Sequence, residues 1–260
     1  MKTDIATMYR GAWAFIFACP LLFLIPVAVE FAQHIVEWRA GMYDGVAGAK
    51  AAEGDALRLQ FGFAKTLALL LPGYWFTRYI LFGFDAKRAS RIEWPAIGLW
   101  LVLFAIQAVQ QWWGLFGPPM TGLAGLSGKP AQWAGYALMA GSTILAIYLT
   151  AWFTAWPAGH AAVGPLRSIA IMAGYFWRSF ALLIVGFLPL MLVHYGLTFA
   201  AIFAPAVFDW PLLVLDALVV GMLALTMAGS GAVAARHAAA ARGIDLGEPA
   251  PATGARAAPA

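Results

Sequence analysis

The stretch EFAQHIVEW, residues 30 to 38, places three side chains that bind cations or protons on one face of a helix. Glu30, His34 and Glu37 are spaced at i, i+4 and i+7, and an α-helix returns to the same face at these positions. Carboxylates and imidazoles serve as metal ligands, proton acceptors and ion-pair partners. The stretch directly follows the apolar run AWAFIFACPLLFLIPVAV, so its chemistry depends on where that run lies.

Three interpretations of this stretch are open. A metal site would draw two or three ligands from it, but it is not a metalloprotease motif, and its glutamates lie about 10 Å apart along the axis. A haem or chlorophyll ligand at His34 or His194 has no support beyond the histidine. The favoured interpretation is a polar stripe that pairs with Arg39 or with residues 50–65. We therefore predict no metal and no cofactor, with Glu30 inside the bundle, His34 at the boundary and Glu37 in water.

The composition indicates a membrane protein. The chain has 260 residues, of which 63% are hydrophobic and 11% are charged, whereas a soluble domain carries about 25% charged residues. The formal charge of +4 is spread along the chain without a basic arm, so a nucleic-acid partner is not predicted. The single cysteine, Cys19, lies in an apolar run, which excludes a disulfide within the chain.

The apolar runs predict an all-α fold, a polytopic membrane bundle of six transmembrane helices with one interfacial amphipathic helix. A helix needs about 20 mostly apolar residues to cross a bilayer. The six runs are Trp13–Ala32, Phe63–Phe84, Pro95–Trp113, Trp133–Trp156, Phe180–Ala204 and Trp210–Ala234. Residues 168–177 are assigned to the interfacial helix. Residues 1–242 form the membrane domain, and the Pro- and Ala-rich residues 243–260 are predicted to be a disordered cytoplasmic tail.

The basic residues predict the orientation of these helices. Six crossings place both termini on one side, and basic residues favour the cytoplasmic side. With the termini inside, 11 basic residues lie inside and 5 outside: Lys2, Arg10, Arg78, Lys87, Arg88, Arg91, Arg167, Arg178, Arg236, Arg242 and Arg256 against Arg39, Lys50, Arg58, Lys65 and Lys129. Tryptophans at the span edges fit these boundaries. We therefore predict a multi-pass protein of the bacterial inner membrane.

Two ionisable residues lie at similar depth on neighbouring spans. By helix rise, His194 on the fifth span and Asp216 on the sixth are each about 9 Å below the outer surface. The link between these spans is short, so the two helices are expected to be neighbours. A paired carboxylate and imidazole cost less in lipid than either alone, and we predict that they pair.

The polar residues of the bundle concentrate in its outer part. Candidates for a substrate-binding, periplasm-facing cavity share this level: Glu30, His34, Lys65, Gln110, His194 and Asp216. The alternative is that the helices simply become polar where they leave the lipid. At the inner side, Arg78 near the end of the second span is expected to snorkel to the headgroups.

Two segments resemble each other and, together, a known group of proteins. YRGAWAFIFACPLLFLIPV at 9–27 is similar to WRSFALLIVGFLPLMLVHY at 177–195; both begin with an aromatic residue and an arginine and contain a proline. This layout resembles uncharacterised bacterial inner-membrane families, including the membrane domain fused to some glycerophosphodiester phosphodiesterases. The resemblance implies a helical membrane scaffold. It carries over no phosphodiesterase activity, because that catalytic domain is not among these residues.

The sequence favours a non-enzymatic role. It contains no phosphate-binding loop, nucleophile elbow or paired-carboxylate metal motif. The first expectation is a scaffold or accessory subunit of a larger membrane assembly, with the lipid bilayer and other membrane subunits or copies of itself as partners. The alternatives are a transporter or lipid-handling protein that uses the outer polar residues, and an outer-leaflet enzyme acting on a lipid or a quinone.

Overall fold

The computed structural model describes residues 1–248, which fold into helices and connecting turns without a β-strand. The helices are α1 (Lys2–Ala18), α2 (Pro20–Arg39), α3 (Gly45–Ala52), α4 (Ala56–Leu70), α5 (Gly73–Leu81), α6 (Ala86–Ala89), α7 (Trp94–Phe116), α8 (Met120–Leu123), α9 (Gly128–Ala155), α10 (Pro165–Met172), α11 (Phe176–Phe203) and α12 (Asp209–Ala240). A 3-10 turn at Ala206–Phe208 leads into α12. The all-helical prediction is therefore confirmed for the described residues.

Within residues 1–248, five helical segments are long and apolar enough to cross a membrane: α2, α7, α9, α11 and the run Ala206–Ala240 that contains α12. Helices of this length and composition match a bilayer core about 30 Å thick. The membrane class predicted from composition is thus supported by helix length and apolarity together.

The first predicted span, Trp13–Ala32, is not one helix. The chain breaks at Cys19, whose φ and ψ are −138° and 57°, and α2 begins at Pro20. Proline has no N–H to donate and favours the first turn of a helix, so the helix restarts there. The similar segment at 177–195 is continuous, since Pro189 lies inside α11. The similarity of the two segments therefore does not extend to their helix boundaries.

The second predicted span, Phe63–Phe84, is also divided. Helix α4 ends at Leu70, and α5 starts at Gly73 after Leu71 and Pro72. Counting apolar residues predicted a continuous helix, but proline restricts the residue before it and removes a hydrogen bond. Each piece is shorter than a single bilayer-crossing helix.

Helix α12 is the centre of the bundle. It packs against α1, α2, α5, α9 and α11 and buries residues over its whole length. Small residues permit this close approach. At Gly186 of α11, an added Cβ would lie 2.9 Å from the backbone oxygen of Thr226 of α12. The Thr226 hydroxyl donates to the Gly186 carbonyl at 2.6 Å.

The predicted interfacial helix at residues 168–177 is split between two helices. Helix α10 ends at Met172, and Gly174 has a φ of 87° before α11 begins. The Ser168 hydroxyl is buried; it donates to the Tyr148 carbonyl and accepts from the backbone N–H of Trp152. Helix α10 therefore packs on α9, and one of its faces is buried against that helix.

One end of the bundle is organised by Arg78 of α5, and we call it the arginine end. The side chain is fully buried and donates to the carbonyls of Ala89 and Pro157 at 3.1 and 3.0 Å and to the Glu93 carboxylate at 2.8 Å. The prediction that Arg78 snorkels to the headgroups was wrong. Backbone carbonyls left free at helix ends and turns supply a better set of acceptors than distant water.

Residues after α12 also pack at this end. Leu246 is fully buried against α9 and α10 residues. Its carbonyl lies 3.3 Å from Nε2 of His160, and Arg88 donates to the carbonyl of Gly247 at 2.7 Å. The sequence assigned residues 243–260 to a disordered tail. Residues 243–248 instead hold defined contacts, and residues 249–260 lie outside the described part of the chain.

Candidate functional site

The polar stretch of α2 is buried along its whole length. Glu30, Gln33, His34 and Glu37 are each at most 6% exposed. They point from α2 toward residues of α4, α11 and α12. The prediction that Glu37 faces water and that His34 lies at the boundary was wrong, because both side chains are covered by the segments that follow α2.

His34 lies at the centre of a polar cluster. Its Nε2 is 3.0 Å from Oδ2 of Asp216 and 3.5 Å from Oε1 of Glu30. Its Nδ1 is 3.1 Å from Oε2 of Glu37 and 3.0 Å from the hydroxyl of Tyr43. Both ring nitrogens therefore face oxygen atoms, and neither is free to bind the axial position of a haem or chlorophyll.

Asp216 of α12 connects the two histidines. Nδ1 of His194 lies 2.8 and 2.9 Å from the two carboxylate oxygens of Asp216. The predicted pairing of these residues on neighbouring helices is present in the structure. Asp216 is fully buried and also reaches His34, so one carboxylate joins α2, α11 and α12.

Two cations complete the cluster from α4. Nζ of Lys65 lies 3.2 and 3.1 Å from the two carboxylate oxygens of Glu30. Nε of Arg58 donates to Oε1 of Glu37 at 3.1 Å. Lys65 was a predicted site residue, and Arg58 lies within residues 50–65, the segment that the sequence analysis expected to pair with the polar stripe. Both pairings with residues 50–65 are present, whereas Arg58 itself was not named as a site residue.

Tyr43 is a member of the cluster that sequence analysis missed. It lies in the turn after α2, between Gly41 and Gly45, which both have positive φ values. Its hydroxyl donates to Oε2 of Glu37 at 2.9 Å. Burial, together with the neighbouring carboxylate of Glu37, raises the pKa of Tyr43, so it stays a neutral hydrogen-bond donor.

We call the assembled group the histidine cluster and its end of the bundle the histidine end. The members are Glu30, Gln33, His34, Glu37, Tyr43, Arg58, Lys65, His194 and Asp216. It contains three carboxylates and two side chains that are cationic at neutral pH, apart from the imidazoles. Three minus two leaves one negative charge when both histidines are neutral. The cluster is thus balanced by one further positive charge.

Gln110 does not belong to this cluster. It lies on an exposed face of α7, and α7 packs mainly against α4 rather than against α2 or α12. The sequence could not say which way α7 turns. Of the six predicted site residues, five are brought together and Gln110 is left outside.

Three members of the cluster have the donor atoms and proximity of a metal site. One ligand atom from each of Glu30, His194 and Asp216 lies within 4.8 Å of the others. Glu37 is not among them, which agrees with the expected separation of the two glutamates along α2. The chemistry available here is therefore the binding of a proton or a small cation by carboxylate and imidazole groups.

In comparisons with known proteins, no family model, curated protein or solved structure matches this chain.

Proposed function

We propose that this protein is an integral membrane protein of the transport type that binds a small cation at the histidine cluster. The observation that carries the proposal is the burial of Glu30, His34 and Asp216, at 0%, 2% and 0% exposure, in a cluster whose three carboxylates outnumber its lysine and arginine by one. Ionisable side chains at membrane depth are costly, and they mark ion and substrate pathways.

A scaffold role does not require such a cluster. Buried ion pairs often contribute less to stability than well-packed apolar side chains of similar volume. Helix packing in this bundle is already provided by contacts such as Gly186 against Thr226. A function that uses charge therefore explains the cluster better than stability does, and the transport-type alternative is favoured over the scaffold.

The cluster has one edge that reaches the surface. The side chains of His194, Lys65 and Arg58 are 12%, 22% and 25% exposed, while those of Glu30, His34 and Asp216 are 2% exposed or less. These partly exposed residues belong to α11 and α4. A cation that enters between these helices meets His194 and Lys65 first and the carboxylates of Glu30 and Asp216 next.

The divided segment α4–α5 supports both the proposed transport function and a sixth crossing of the membrane. Lys65 of α4 contacts Glu30 at the histidine end, and Arg78 of α5 contacts Glu93 at the arginine end. The pair of helices thus connects the two ends through the break at Pro72. Discontinuous helices of this kind are a recurrent feature of transporters. We propose six crossings, with both termini and the arginine end on the cytoplasmic side of a bacterial inner membrane.

A flux measurement tests the function. Purified protein is reconstituted in liposomes held at an inside-negative potential, with entrapped dyes that report protons, sodium or zinc. We expect uptake of one of these cations above that of protein-free liposomes, and loss of this uptake in Asp216→Asn. Asp209→Asn is the matched control, because Asp209 is a buried acid on the same helix outside the cluster. If no cation enters, or if Asp216→Asn leaves the flux unchanged, the proposal is wrong.

A second candidate, an accessory role beside other membrane subunits, is favoured by the exposure of α9. Residues 135–146 of α9 are exposed or half-buried around the whole helix, whereas its buried residues, Ile147, Ala151, Thr154 and Ala155, all lie in its later half. A neighbouring membrane protein would cover this surface. Cross-linking from Tyr136→Cys in native membranes tests it: a specific protein adduct supports a partner, and labelling by lipid alone argues against one.

A further inference from the structure

We propose that Glu30, His194 and Asp216 form a binding site for one divalent first-row transition-metal ion. The inference rests on the proposed function, because it names the class of cation that the histidine cluster takes. The three ligand atoms lie within 4.8 Å of one another. Ligands at about 2.1 Å from one ion lie about 3.4 Å apart in a tetrahedral site, so the site forms when the most widely separated pair closes by up to about 1.4 Å.

The donor set selects the class of metal. One imidazole nitrogen and two carboxylate oxygens suit zinc, manganese or iron(II), whereas calcium and magnesium prefer six or more oxygen ligands. The ligands come from α2, α11 and α12, and α12 packs against both of the other helices. Placement on rigid helices fixes the relative positions of the ligands more precisely than placement on loops.

A second observation points to a ligand at this position. Oε2 of Glu30 and Nε2 of His34 are buried atoms that make no hydrogen bond, although Oε2 of Glu30 lies 3.1 Å from Nζ of Lys65 and Nε2 of His34 lies 3.0 Å from Oδ2 of Asp216. Glu30 and His34 are 0% and 2% exposed. His34 Nε2 faces Glu30 and Asp216, so its lone pair or its N–H is directed at two of the proposed ligands. Buried polar atoms are rarely left without a hydrogen bond, and a bound metal supplies what Glu30 Oε2 lacks.

Lys65 neutralises the charge of the Glu30 carboxylate, which a bound metal would otherwise do. Its ammonium pairs with Glu30 and is 22% exposed, so it is able to move toward the surface. With Lys65 in place, a divalent ion would bring the cluster to a net charge of +1 when both histidines are neutral. With Lys65 withdrawn, the charge is zero. Lys65 therefore competes with the metal for Glu30.

Equilibrium binding of Co²⁺ and Zn²⁺ to purified protein in detergent tests the site. Cobalt reports its ligands through visible absorption bands, and zinc competes for the same position. We expect one equivalent to bind and affinity to fall more than about tenfold in Glu30→Gln, His194→Gln and Asp216→Asn. Lys65→Met should bind more tightly than the wild type, which no general loss of folding would produce. Asp209→Asn should leave affinity unchanged.

Three results decide the inference. Absence of cobalt bands in wild type and in Lys65→Met overturns it. Equal affinity in a triple variant of Glu30, His194 and Asp216 shows that the metal lies elsewhere and also overturns it. Tighter binding in Lys65→Met with loss in the ligand variants supports it.

The same measurements separate this inference from the proposed function. Proton or sodium flux that depends on Asp216, without metal binding, removes the metal site and leaves the transport function. Metal binding at the three ligands without any flux supports the metal site and removes the transport function.

Discussion

Individual residues of the histidine cluster depend on one another because they share atoms. Nε2 of His34 approaches both Asp216 and Glu30, while Nδ1 of the same ring approaches Glu37 and Tyr43. Neutralising one carboxylate changes the charge seen by the others across distances of 3.0 to 3.5 Å. Effects on stability at these positions are therefore expected to be non-additive.

A double-mutant cycle measures this dependence. Glu30→Gln and Asp216→Asn, singly and together, are compared for free energy of unfolding in detergent and for cation flux. Because both carboxylates contact His34, we expect a coupling energy of about 0.5–3 kcal/mol.

The control cycle combines Asp216→Asn with Asp4→Asn. Asp4 pairs with Arg178 in α1 and α11 at the other end of the bundle, and this pair of changes should be additive. Additive effects in both cycles would contradict a shared network at the histidine end.

Arg78 gives a prediction at the arginine end. Arg78→Met removes a buried cation together with donors to two backbone carbonyls and to Glu93. Removal of one partner from a buried polar network typically costs about 3–5 kcal/mol, and we expect a loss of about 3 kcal/mol in reversible unfolding. Arg10→Met is the control, because Arg10 is an exposed arginine on α1. Equal stability of the two variants would show that the Arg78 contacts contribute little.

At the scale of elements, the central packing of α12 depends on small residues. Gly186 lies where α11 meets α12, and a Cβ there would meet a backbone oxygen at 2.9 Å and Sδ of Met8 at 3.1 Å. Backbone atoms move less readily than the ends of flexible side chains, so the two helices would have to separate. Separation would in turn move His194 and Asp216, which face each other across the same pair of helices.

Substitution of two glycines on one helix tests this packing. Gly186→Ala should lower the free energy of unfolding by about 1–3 kcal/mol, because overpacking outweighs the gain in helix propensity. Gly196→Ala on the same helix has open space around it and should be neutral or slightly stabilising. If Gly186→Ala is as stable as Gly196→Ala, the close contact of α11 and α12 is not required.

At the scale of the whole molecule, the two ends of the bundle differ in kind. The histidine end holds buried side-chain ion pairs, whereas at the arginine end charged side chains largely bind backbone carbonyls, as Arg78, Arg88 and Arg236 do. The arginine end also carries the basic turn around α6, which the positive-inside rule assigns to the cytoplasm. The proposed orientation follows from this difference.

Labelling of single cysteines tests the orientation. In a Cys19→Ala background, Ser127→Cys should react with an impermeant reagent in intact cells, and Ser90→Cys should react only after lysis. Both residues are exposed in loops, between α8 and α9 and between α6 and α7. The reverse pattern would invert the topology, and labelling of both in intact cells would contradict the single crossing, α7, that separates the two loops.

The sequence by itself determined the helical membrane class and the level of the polar residues along the bundle. The length of an apolar run shows whether a helix can cross a bilayer. The rise per residue of a helix placed His194 and Asp216 at one depth, and in the structure they pair at 2.8 Å. These inferences succeeded because they use only distances along one helix or across one short link. The same arithmetic failed at Cys19 and Pro72, where local backbone chemistry divided two predicted spans.

Only the tertiary structure decided which side chains meet. Hydrophobicity does not fix the rotation of a helix that is apolar on all sides, so Gln110 on α7 turned outward while Lys65 on α4 turned inward. Burial of Glu37 depends on Tyr43 and Arg58, which come from a turn and from a separate helix. The burial of Arg78 depends on carbonyls as distant as Pro157. Such contacts arise from packing between segments far apart in the chain, which no local spacing encodes.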